Sequence, residues 1–256
     1  MSRFSANLGF MWPDRPFPDR IRAAASAGFR AIEAHFPYDT SATAARDLCR
    51  TLDVTFLGVN TVPGQPGDFG LGAVAGREGE FQAAIDQAVA YCDVVGARSI
   101  HAMAGVAPYD EPARATLVDN LRVAADKVAG RGIALYLEAL NPRDNPGYFY
   151  STCEQVADIM ERVGRDELRM MFDIYHVAIS QGDVLTRLER FLPLIGHIQI
   201  ASVPGRHEPD EGEIDYRAVL QAADDLGYEG WVGCEYRPRD GTDAGLDWIA
   251  RLGLSL

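Results

Sequence analysis

The sequence is poor in cysteine and histidine. It has four cysteines and five histidines in 256 residues. No two cysteines form a C-x-x-C pair, which excludes a zinc knuckle and a thioredoxin-like redox motif. Each cysteine falls in or beside an apolar-periodic segment, where we expect a small buried thiol. The four residues are Cys49, Cys92, Cys153 and Cys234.

Long apolar runs and an excess of basic charge are also missing. No stretch approaches the roughly 20 apolar residues that span a bilayer, and the first residues contain no apolar core of a signal peptide. The chain has 24 basic and 37 acidic residues, a net charge of -13. That balance disfavours nucleic acid, because lysine and arginine must neutralise its phosphates. We therefore expect a cytoplasmic protein with reduced thiols that binds neither a membrane nor nucleic acid.

The sequence does contain a regular alternation of short apolar runs and amphipathic stretches. Eight candidate strands alternate strictly with eight candidate helices, and parallel strands need such crossover helices. Eight units in about 250 residues predict an α/β fold, a (β/α)8 TIM barrel that forms a single domain over residues 1–256. An open doubly wound sheet is the alternative, but the turn after the first strand does not fit G-x-G-x-x-G. The predicted strands are residues 4–10, 31–36, 54–60, 99–103, 134–140, 168–175, 197–201 and 231–236. The predicted helices are residues 19–27, 41–52, 78–95, 113–129, 151–163, 183–194, 215–226 and 243–252.

Four strands in the second half carry an oxygen-bearing side chain near their carboxyl end. Burying an unpaired carboxylate is costly, so four such strands in succession need a shared explanation. Active sites of barrels lie at the carboxyl ends of the strands, where these side chains can converge. Three carboxylates and an amide are hard oxygen ligands, which suit Mg²⁺ or Mn²⁺ better than a structural zinc. The predicted metal ligands are Glu138, Asp173, Gln199 and Glu235.

The histidines are candidates of a second kind. His176 follows Asp173 by three residues, and we predict that it hydrogen-bonds the substrate, with a turn-stabilising role as the alternative. His101, on the fourth strand, is expected either to contact substrate at the mouth or to be a core histidine, and His35 is in a similar position. His197 opens its strand at the opposite end of the barrel, so we interpret it as structural.

Arg206 lies in a loop that follows a ligand-bearing strand. A guanidinium there can pair with a substrate carboxylate in bidentate fashion, and an exposed surface arginine is the alternative. Asn7, at the end of the first strand, is a weaker substrate-binding candidate. The glycine- and proline-rich loop 63–72 is too long for a simple turn, so we predict a lid that closes over the site with Trp12 and Phe69.

Several segments together resemble the hydroxypyruvate isomerase family, within the xylose isomerase-like barrels. The resemblance runs from near residue 3 to about residue 250 and is most specific in the last third of the chain. The segments that carry it are Arg3-Phe-Ser-Ala-Asn-Leu, Phe36-Pro-Tyr-Asp, Gly76-Arg-Glu-Gly-Glu-Phe, Phe172-Asp-Ile-Tyr-His, His197-Ile-Gln-Ile-Ala, Gly212-Glu-Ile-Asp-Tyr and Gly230-Trp-Val-Gly-Cys-Glu-Tyr.

The resemblance implies an isomerase that interconverts hydroxypyruvate and tartronate semialdehyde (2-hydroxy-3-oxopropanoate) through an enediolate. It implies that the metal is bound by the four predicted ligands and that Glu138 and Glu235 move the protons. The wider superfamily often has histidine at the position of Gln199. A similar group acts on 2-oxo-tetronate, one carbon longer, and the motifs do not separate the two.

Other functions on the same fold are a ketose 3-epimerase or sugar isomerase acting on a neutral sugar, a metal-dependent nuclease, and a non-catalytic binding protein. The nucleases of this fold gather several zinc ions with many histidines along a basic groove, and the low histidine count and negative charge argue against one. The intact ligand set argues against a binding protein. Small barrels of this type often associate through their helices, so a homo-oligomer is one expectation.

Overall fold

A closed parallel β-barrel forms the centre of the molecule. The computed structural model describes residues 3–256, and in it each strand pairs in parallel with the next and the eighth pairs with the first. The predicted (β/α)8 barrel is therefore confirmed. The strands are β1 Arg3–Asn7, β2 Ala31–Ala34, β3 Thr55–Asn60, β4 Ser99–His101, β5 Ala134–Glu138, β6 Leu168–Asp173, β7 Ile195–Ile200 and β8 Trp231–Cys234.

Helices surround the barrel and connect consecutive strands. They are α1 Phe17–Ser26, α2 Ala42–Thr51, α3 Glu78–Val95, α4 Glu111–Val128, α5 Cys153–Val163, α6 Ile174–Ser180, α7 Val184–Phe191, α8 Tyr216–Asp225, α9 Thr242–Gly245 and α10 Trp248–Arg251. The predicted strict alternation is wrong in two places: α6 and α7 both lie between β6 and β7, and the last predicted helix is two short ones. Short 3-10 turns also occur at Pro37–Asp39 and Leu192–Leu194.

Helix ends follow local side-chain chemistry. Thr152 caps α5 in a capping box, in which its hydroxyl accepts from the Gln155 amide and the Gln155 side chain accepts in return. This satisfies amide donors that the first turn cannot pair internally. Gly96 and Gly164 end α3 and α5 in the left-handed conformation, at φ 88° and 65°, where a side chain would be strained.

Seven of the eight strands end earlier than the apolar runs predict, and only β3 ends where predicted, at Asn60. The first predicted strand extends to residue 10, but β1 ends at Asn7, whose carbonyl accepts from the amides of Phe10 and Met11. β6 ends at Asp173 because its carboxylate accepts from the Tyr175 amide and so caps α6. The polar side chains therefore sit at the points where the chain leaves the barrel.

Side chains alternate between the two faces of each strand. On β5, Leu135 and Leu137 are fully buried in the apolar core that the strands share with the helices. Full burial of such a side chain stabilises the fold by about 1.5–3 kcal/mol. Tyr136 and Glu138, on the other face, point into the barrel. The apolar face builds the fold and the inward face is left for polar chemistry.

Within residues 3–256, no helix combines the length and the apolar composition that crossing a bilayer would require.

Candidate active site

The predicted metal ligands meet at one end of the barrel. Glu138, Asp173 and Gln199 lie on β5, β6 and β7, and Glu235 follows the last residue of β8. All four are buried. Asp173 and Gln199 are directly paired neighbours in adjacent strands. The barrel thus collects three carboxylates and one amide where water has little access.

The most compact group contains Glu138, Asp173 and His176, whose potential ligand atoms lie within 4.8 Å of one another. His176 Nε2 is 3.6 Å from Asp173 Oδ2 and 3.8 Å from Glu138 Oε1. Its other ring nitrogen, Nδ1, accepts a hydrogen bond from the backbone amide of Asn141, 3.0 Å away. Burial lowers the pKa of His176 to about 3, so the ring is neutral and its proton is on Nε2. The protonated Nε2 of His176 therefore lies near both carboxylates but beyond hydrogen-bond distance of either.

Glu235 faces a different set of partners. Its Oε1 lies 2.8 Å from His35 Nε2 and accepts from Asn7 Nδ2 at 3.3 Å, and its Oε2 accepts from Arg206 Nη2 at 3.1 Å. Burial raises the pKa of Glu235, but the charge of Arg206 and the bond to His35 outweigh it, and the pKa falls to about 2. Glu235 is therefore an ionised carboxylate that Asn7, His35 and Arg206 surround.

Glu138 and Asp173 have fewer donors. Burial, followed by the charges of Glu235 and Asp173, raises the pKa of Glu138 well above its usual value. Burial raises the pKa of Asp173 to about 8, although Arg206 opposes this. Both carboxyl groups therefore resist ionisation beside Glu235 and a single guanidinium, and a divalent cation is the kind of charge that would favour their ionised forms.

Two buried oxygens without hydrogen-bond partners in the described residues also indicate that a cation fits this site. Glu138 Oε1 and Gln199 Oε1 are buried and have no hydrogen-bond partner among residues 3–256. Buried polar atoms are almost always paired with protein, water or an ion. The donor set is entirely oxygen, and these two unpaired oxygens flank Asp173 on neighbouring strands. The residues present therefore fit a hard divalent cation.

Arg206 is held rigidly over the site. Its guanidinium lies between the rings of Phe10 and Tyr175, 4.9 and 4.8 Å from their centroids. Its backbone is left-handed, with φ 56°, a conformation that costs free energy in a non-glycine residue and recurs at functional sites. Arg206 Nε is buried without a partner in the described part of the chain. One donor of the fork therefore remains free for a ligand.

The other predicted contacts differ in their surroundings. His101 is buried with Nδ1 3.4 Å from Glu138 Oε2, and burial lowers its pKa to about 4, so it is neutral. Asn7 uses its amide nitrogen on Glu33 and Glu235, 3.0 and 3.3 Å away. Asn7 thus reaches the site, but its nitrogen is directed at carboxylates of the protein.

The lid prediction is wrong for Trp12. Its side chain is 1% exposed, and its ring nitrogen donates to Asp243 Oδ1 at 2.7 Å. It packs edge-on against Phe29, so it belongs to the wall between α1 and α9. Phe69 is 37% exposed, and its loop is joined to the segment just after β4 by backbone bonds such as Gly72 N to Met103 O. Closure of this loop stays a prediction.

Two buried residues that the sequence analysis does not assign to the site lie two positions before residues that it does consider. They are Glu33 and His197. Glu33 precedes His35 by two positions and His197 precedes Gln199 by two, so each points into the barrel beneath its neighbour. Glu33 Oε2 and His197 Nε2 are 2.6 Å apart. The prediction that His197 opens its strand at the opposite end of the barrel is wrong, because β7 begins at Ile195 and His197 lies mid-strand, two residues before Gln199. Period-two counting back from the strand ends is the signal that identifies Glu33.

Comparison with known proteins identifies the family. The family model described as xylose isomerase-like TIM barrel matches residues 21–252. The chain belongs to this family. It is 45% identical to a 2-oxo-tetronate isomerase of Cupriavidus necator, over 97% of this chain and 98% of that protein. It is 35% identical to the hydroxypyruvate isomerase of Escherichia coli K12, with the same coverage.

A solved structure from Brucella melitensis, titled as an AP endonuclease of family 2, is 40% identical to the chain. It superposes with a TM-score of 0.94 and covers 98% of this chain and 99% of that one. The family resemblance predicted from the motifs is thus confirmed over nearly the whole chain.

Proposed function

We propose that this member of the family is an isomerase that interconverts hydroxypyruvate and tartronate semialdehyde. The observation that carries the proposal is the set of three buried carboxylates with Arg206 above them. Carboxylates can exchange protons with carbon, while a fixed guanidinium can hold a substrate that is itself a carboxylate. The curated relatives named as isomerases support the same reaction class.

A divalent cation, Mg²⁺ or Mn²⁺, would be held by Glu138, Asp173, Gln199 and Glu235. When bound, it supplies Lewis-acid stabilisation of the negative oxygens of an enediolate. The orphaned oxygens of Glu138 and Gln199 support this ligand set.

The protein's own carboxylates move the protons. In the forward direction one glutamate removes a proton from C3 of hydroxypyruvate, which leaves the C2–C3 enediolate. The second glutamate delivers a proton to C2, and the proton of the C3 hydroxyl passes to the C2 oxygen, so that C3 becomes the aldehyde and C2 carries the hydroxyl. Glu138 and Glu235 are assigned these roles because they approach the site from different strands. Their different pKa values, one raised by burial and one lowered by Arg206, support a division between proton donor and acceptor.

Arg206 and His176 orient the substrate. Arg206 offers its unpaired Nε to the substrate carboxylate, and His176 Nε2 donates to a substrate oxygen between Glu138 and Asp173. His101 and Asn7 are assigned to the same contact region. A neutral ketose would leave the buried donor of Arg206 without a carboxylate, which disfavours a 3-epimerase or sugar isomerase.

A second candidate substrate is 2-oxo-tetronate, one carbon longer. The identity to the isomerase named for it is higher than that to the hydroxypyruvate isomerase of E. coli, 45% against 35%. Both substrates are 2-oxo acids with an adjacent hydroxymethyl or hydroxymethine carbon, so the same proton transfers apply to either.

Proton NMR of the purified protein in deuterium oxide tests the proposal. Hydroxypyruvate, 2-oxo-tetronate and a neutral ketose are each incubated with Mg²⁺ and again after chelation. We expect metal-dependent conversion of one of the two acids, with solvent deuterium at the carbon that receives the proton. Conversion of the ketose alone would select the epimerase alternative, and conversion unaffected by chelation would contradict the metal site. Product without deuterium would contradict proton transfer through exchangeable glutamates.

We also propose a cytoplasmic enzyme that does not bind nucleic acid and that can form a homo-oligomer. All four cysteines are free and buried thiols, which suits a reducing compartment. The charge of -13 opposes a polyanionic substrate. Incubation with DNA containing abasic sites is the matching control, and we expect no strand cleavage.

A further inference from the structure

Gln199 is the only amide in the proposed ligand set, and an amide can present either of two ends. Gln199 Nε2 donates to Glu33 Oε1 at 3.1 Å. Its Oε1 is the buried atom without a partner within the described residues. A cation needs the oxygen end, so something must hold the nitrogen end away from it.

Glu33 is built to do this. It lies on β2, and its Oε1 accepts from both Gln199 Nε2 and Asn7 Nδ2, at 3.1 and 3.0 Å. An oxygen that accepts from two amide nitrogens discriminates between the two ends of an amide. Its second oxygen contacts His197 Nε2 at 2.6 Å, without hydrogen-bond geometry. Asn7 in turn donates to Glu235, so Glu33 supports two of the four proposed ligands.

A glycine makes room for this arrangement. A Cβ added at Gly233 would lie 2.4 Å from Glu33 Oε1 and 3.0 Å from Gln199 Cγ. Any larger residue would therefore push the carboxylate away from the amide. Beneath the site, Glu33, His197 and Tyr136 line a cavity of about 130 Å³ inside the barrel. A barrel interior is ordinarily filled by layers of branched apolar side chains, so this polar floor needs a functional explanation.

We propose that Glu33 is a positioning residue that fixes the orientation of the Gln199 amide so that Oε1 is presented to the cation. Without Glu33, the amide nitrogen loses its acceptor, and the rotamer that turns nitrogen toward the cation becomes accessible. The inference rests on the proposed metal site. It adds the prediction that metal affinity depends on a carboxylate that does not touch the metal.

Mn²⁺ binding to the purified protein, measured by isothermal titration calorimetry and by EPR of free Mn²⁺, is the test. Glu33→Met removes the acceptor at similar volume, and we expect the Kd to rise about tenfold to hundredfold, the usual effect of losing a residue that orients a ligand. Glu33→Gln keeps an oxygen that can accept from Gln199, and we expect affinity close to wild type. An unchanged Kd in Glu33→Met would overturn the inference. Equal losses in both variants would also overturn it, because the charge and not the orientation would then be responsible.

Gly233→Ala retains the Glu33 carboxylate but crowds it together with His197 Nε2 and Gln199 Cγ, so it tests whether the packing of this group as a whole matters for metal affinity. We expect a weakened Kd comparable to that of Glu33→Met, and wild-type affinity would contradict the inference. If circular dichroism shows that Glu33→Met does not fold, Gly233→Ala serves as the test in its place.

Tyr136→Phe is the matched control. Tyr136 lines the same cavity and stacks on His197, but Gln199 should keep its bond to Glu33, so the Kd should not change. If the wild-type protein binds no Mn²⁺, the proposed metal site fails and the inference fails with it, whereas wild-type binding with an unaffected Glu33→Met removes the inference alone.

Discussion

At the scale of single residues, the carboxyl groups of the site differ in how many hydrogen-bond donors surround them. Glu235 accepts from Asn7 and Arg206 and lies beside His35, whereas Glu138 has a buried oxygen with no partner in the described chain. Donors stabilise the charged form and burial destabilises it. Two chemically identical side chains are thereby given different proton affinities, which is what a two-base isomerase requires.

Replacing either glutamate by glutamine removes the proton-transfer group but keeps an oxygen that can bind a cation. We expect Glu138→Gln and Glu235→Gln each to lower kcat by more than about a hundredfold. Steady-state kinetics with the substrate identified by NMR is the measurement, and Mn²⁺ affinity is measured on the same samples to separate a lost base from a lost ligand. Near-normal turnover in either variant would remove that residue from proton transfer.

Arg206→Lys tests the guanidinium fork while keeping the positive charge beside Glu235. A lysine cannot stack between Phe10 and Tyr175 or offer parallel donors. Hydrogen bonds to charged groups contribute about 1.5–3 kcal/mol, so we expect KM for the acid substrate to rise by about tenfold or more. Arg237→Lys, at an exposed arginine on Phe10, is the control and should leave KM unchanged. An unaltered KM in Arg206→Lys would argue against the carboxylate clamp.

At the scale of elements, short connections do much of the positioning. The loop between β7 and α8 carries Arg206, whose amide donates to Ser202 O and whose carbonyl accepts from Arg237 N. These bonds tie the loop to the segment after β8, so Arg206 and Glu235 are located by the same piece of backbone. On the outside of the barrel, Glu154 joins three elements: its carboxylate accepts from Gln181 at 2.7 Å and from Arg187 at 2.7 Å.

The Glu154 contacts predict a pH-dependent contribution to stability. Burial raises the pKa of Glu154, but the hydrogen bonds from Gln181 and Arg187 outweigh it and the pKa lies below 4.5 in the folded protein. A carboxyl group with a lowered folded-state pKa stabilises the fold above its unfolded pKa, and that contribution is lost as the pH falls through the folded-state value. Because the side chain is partly exposed, the effect should be at most about 1 kcal/mol.

Thermal unfolding of Glu154→Gln measures this contribution. We expect a Tm a few degrees below wild type at pH 7, given about 2–4 °C per kcal/mol for a protein of this size. The difference should shrink as the pH falls through the ordinary glutamate range and disappear once the pH is below the lowered folded-state pKa. Glu161→Gln, at an exposed position of the same helix, should have little effect at either pH. A Tm difference that persists in acid would show that the ion pair is not its cause.

At the scale of the whole molecule, the barrel concentrates carboxyl groups at one end of its axis, with the guanidinium of Arg206 among them. A ligand that binds only the folded state stabilises it, by about 2.7 kcal/mol at a concentration of 100 times its Kd. Because the proposed ligands come from four different strands, a bound cation would join β5, β6, β7 and the end of β8. Metal binding should therefore increase the free energy of unfolding of the whole domain.

Saturating Mg²⁺ or Mn²⁺ should raise the Tm of chelator-treated protein by several degrees, from the linkage above and about 2–4 °C per kcal/mol. Differential scanning calorimetry at constant ionic strength is the measurement. Asp173→Asn, which loses a ligand charge but keeps a side chain that can cap α6, should show a much smaller rise. An equal rise in wild type and Asp173→Asn would indicate a salt effect rather than a site.

Sequence alone determined the barrel and predicted all four members of the proposed ligand set. Periodicity is a local property, so eight apolar runs separated by amphipathic helices define the fold without knowledge of any contact. The four proposed ligands could be predicted for the same reason, because a polar residue at the end of an apolar run is a local sequence pattern. They are Glu138, Asp173, Gln199 and Glu235.

Only the tertiary structure decided which side chains meet across the barrel. The Glu33–Gln199 bond joins residues 166 positions apart and the His35–Glu235 contact joins residues 200 apart. Such pairs depend on the closure of β8 onto β1 and on the register of every strand between, which no local pattern encodes. Burial likewise made Trp12 a wall residue instead of a lid, because its partner Asp243 comes from the other end of the chain.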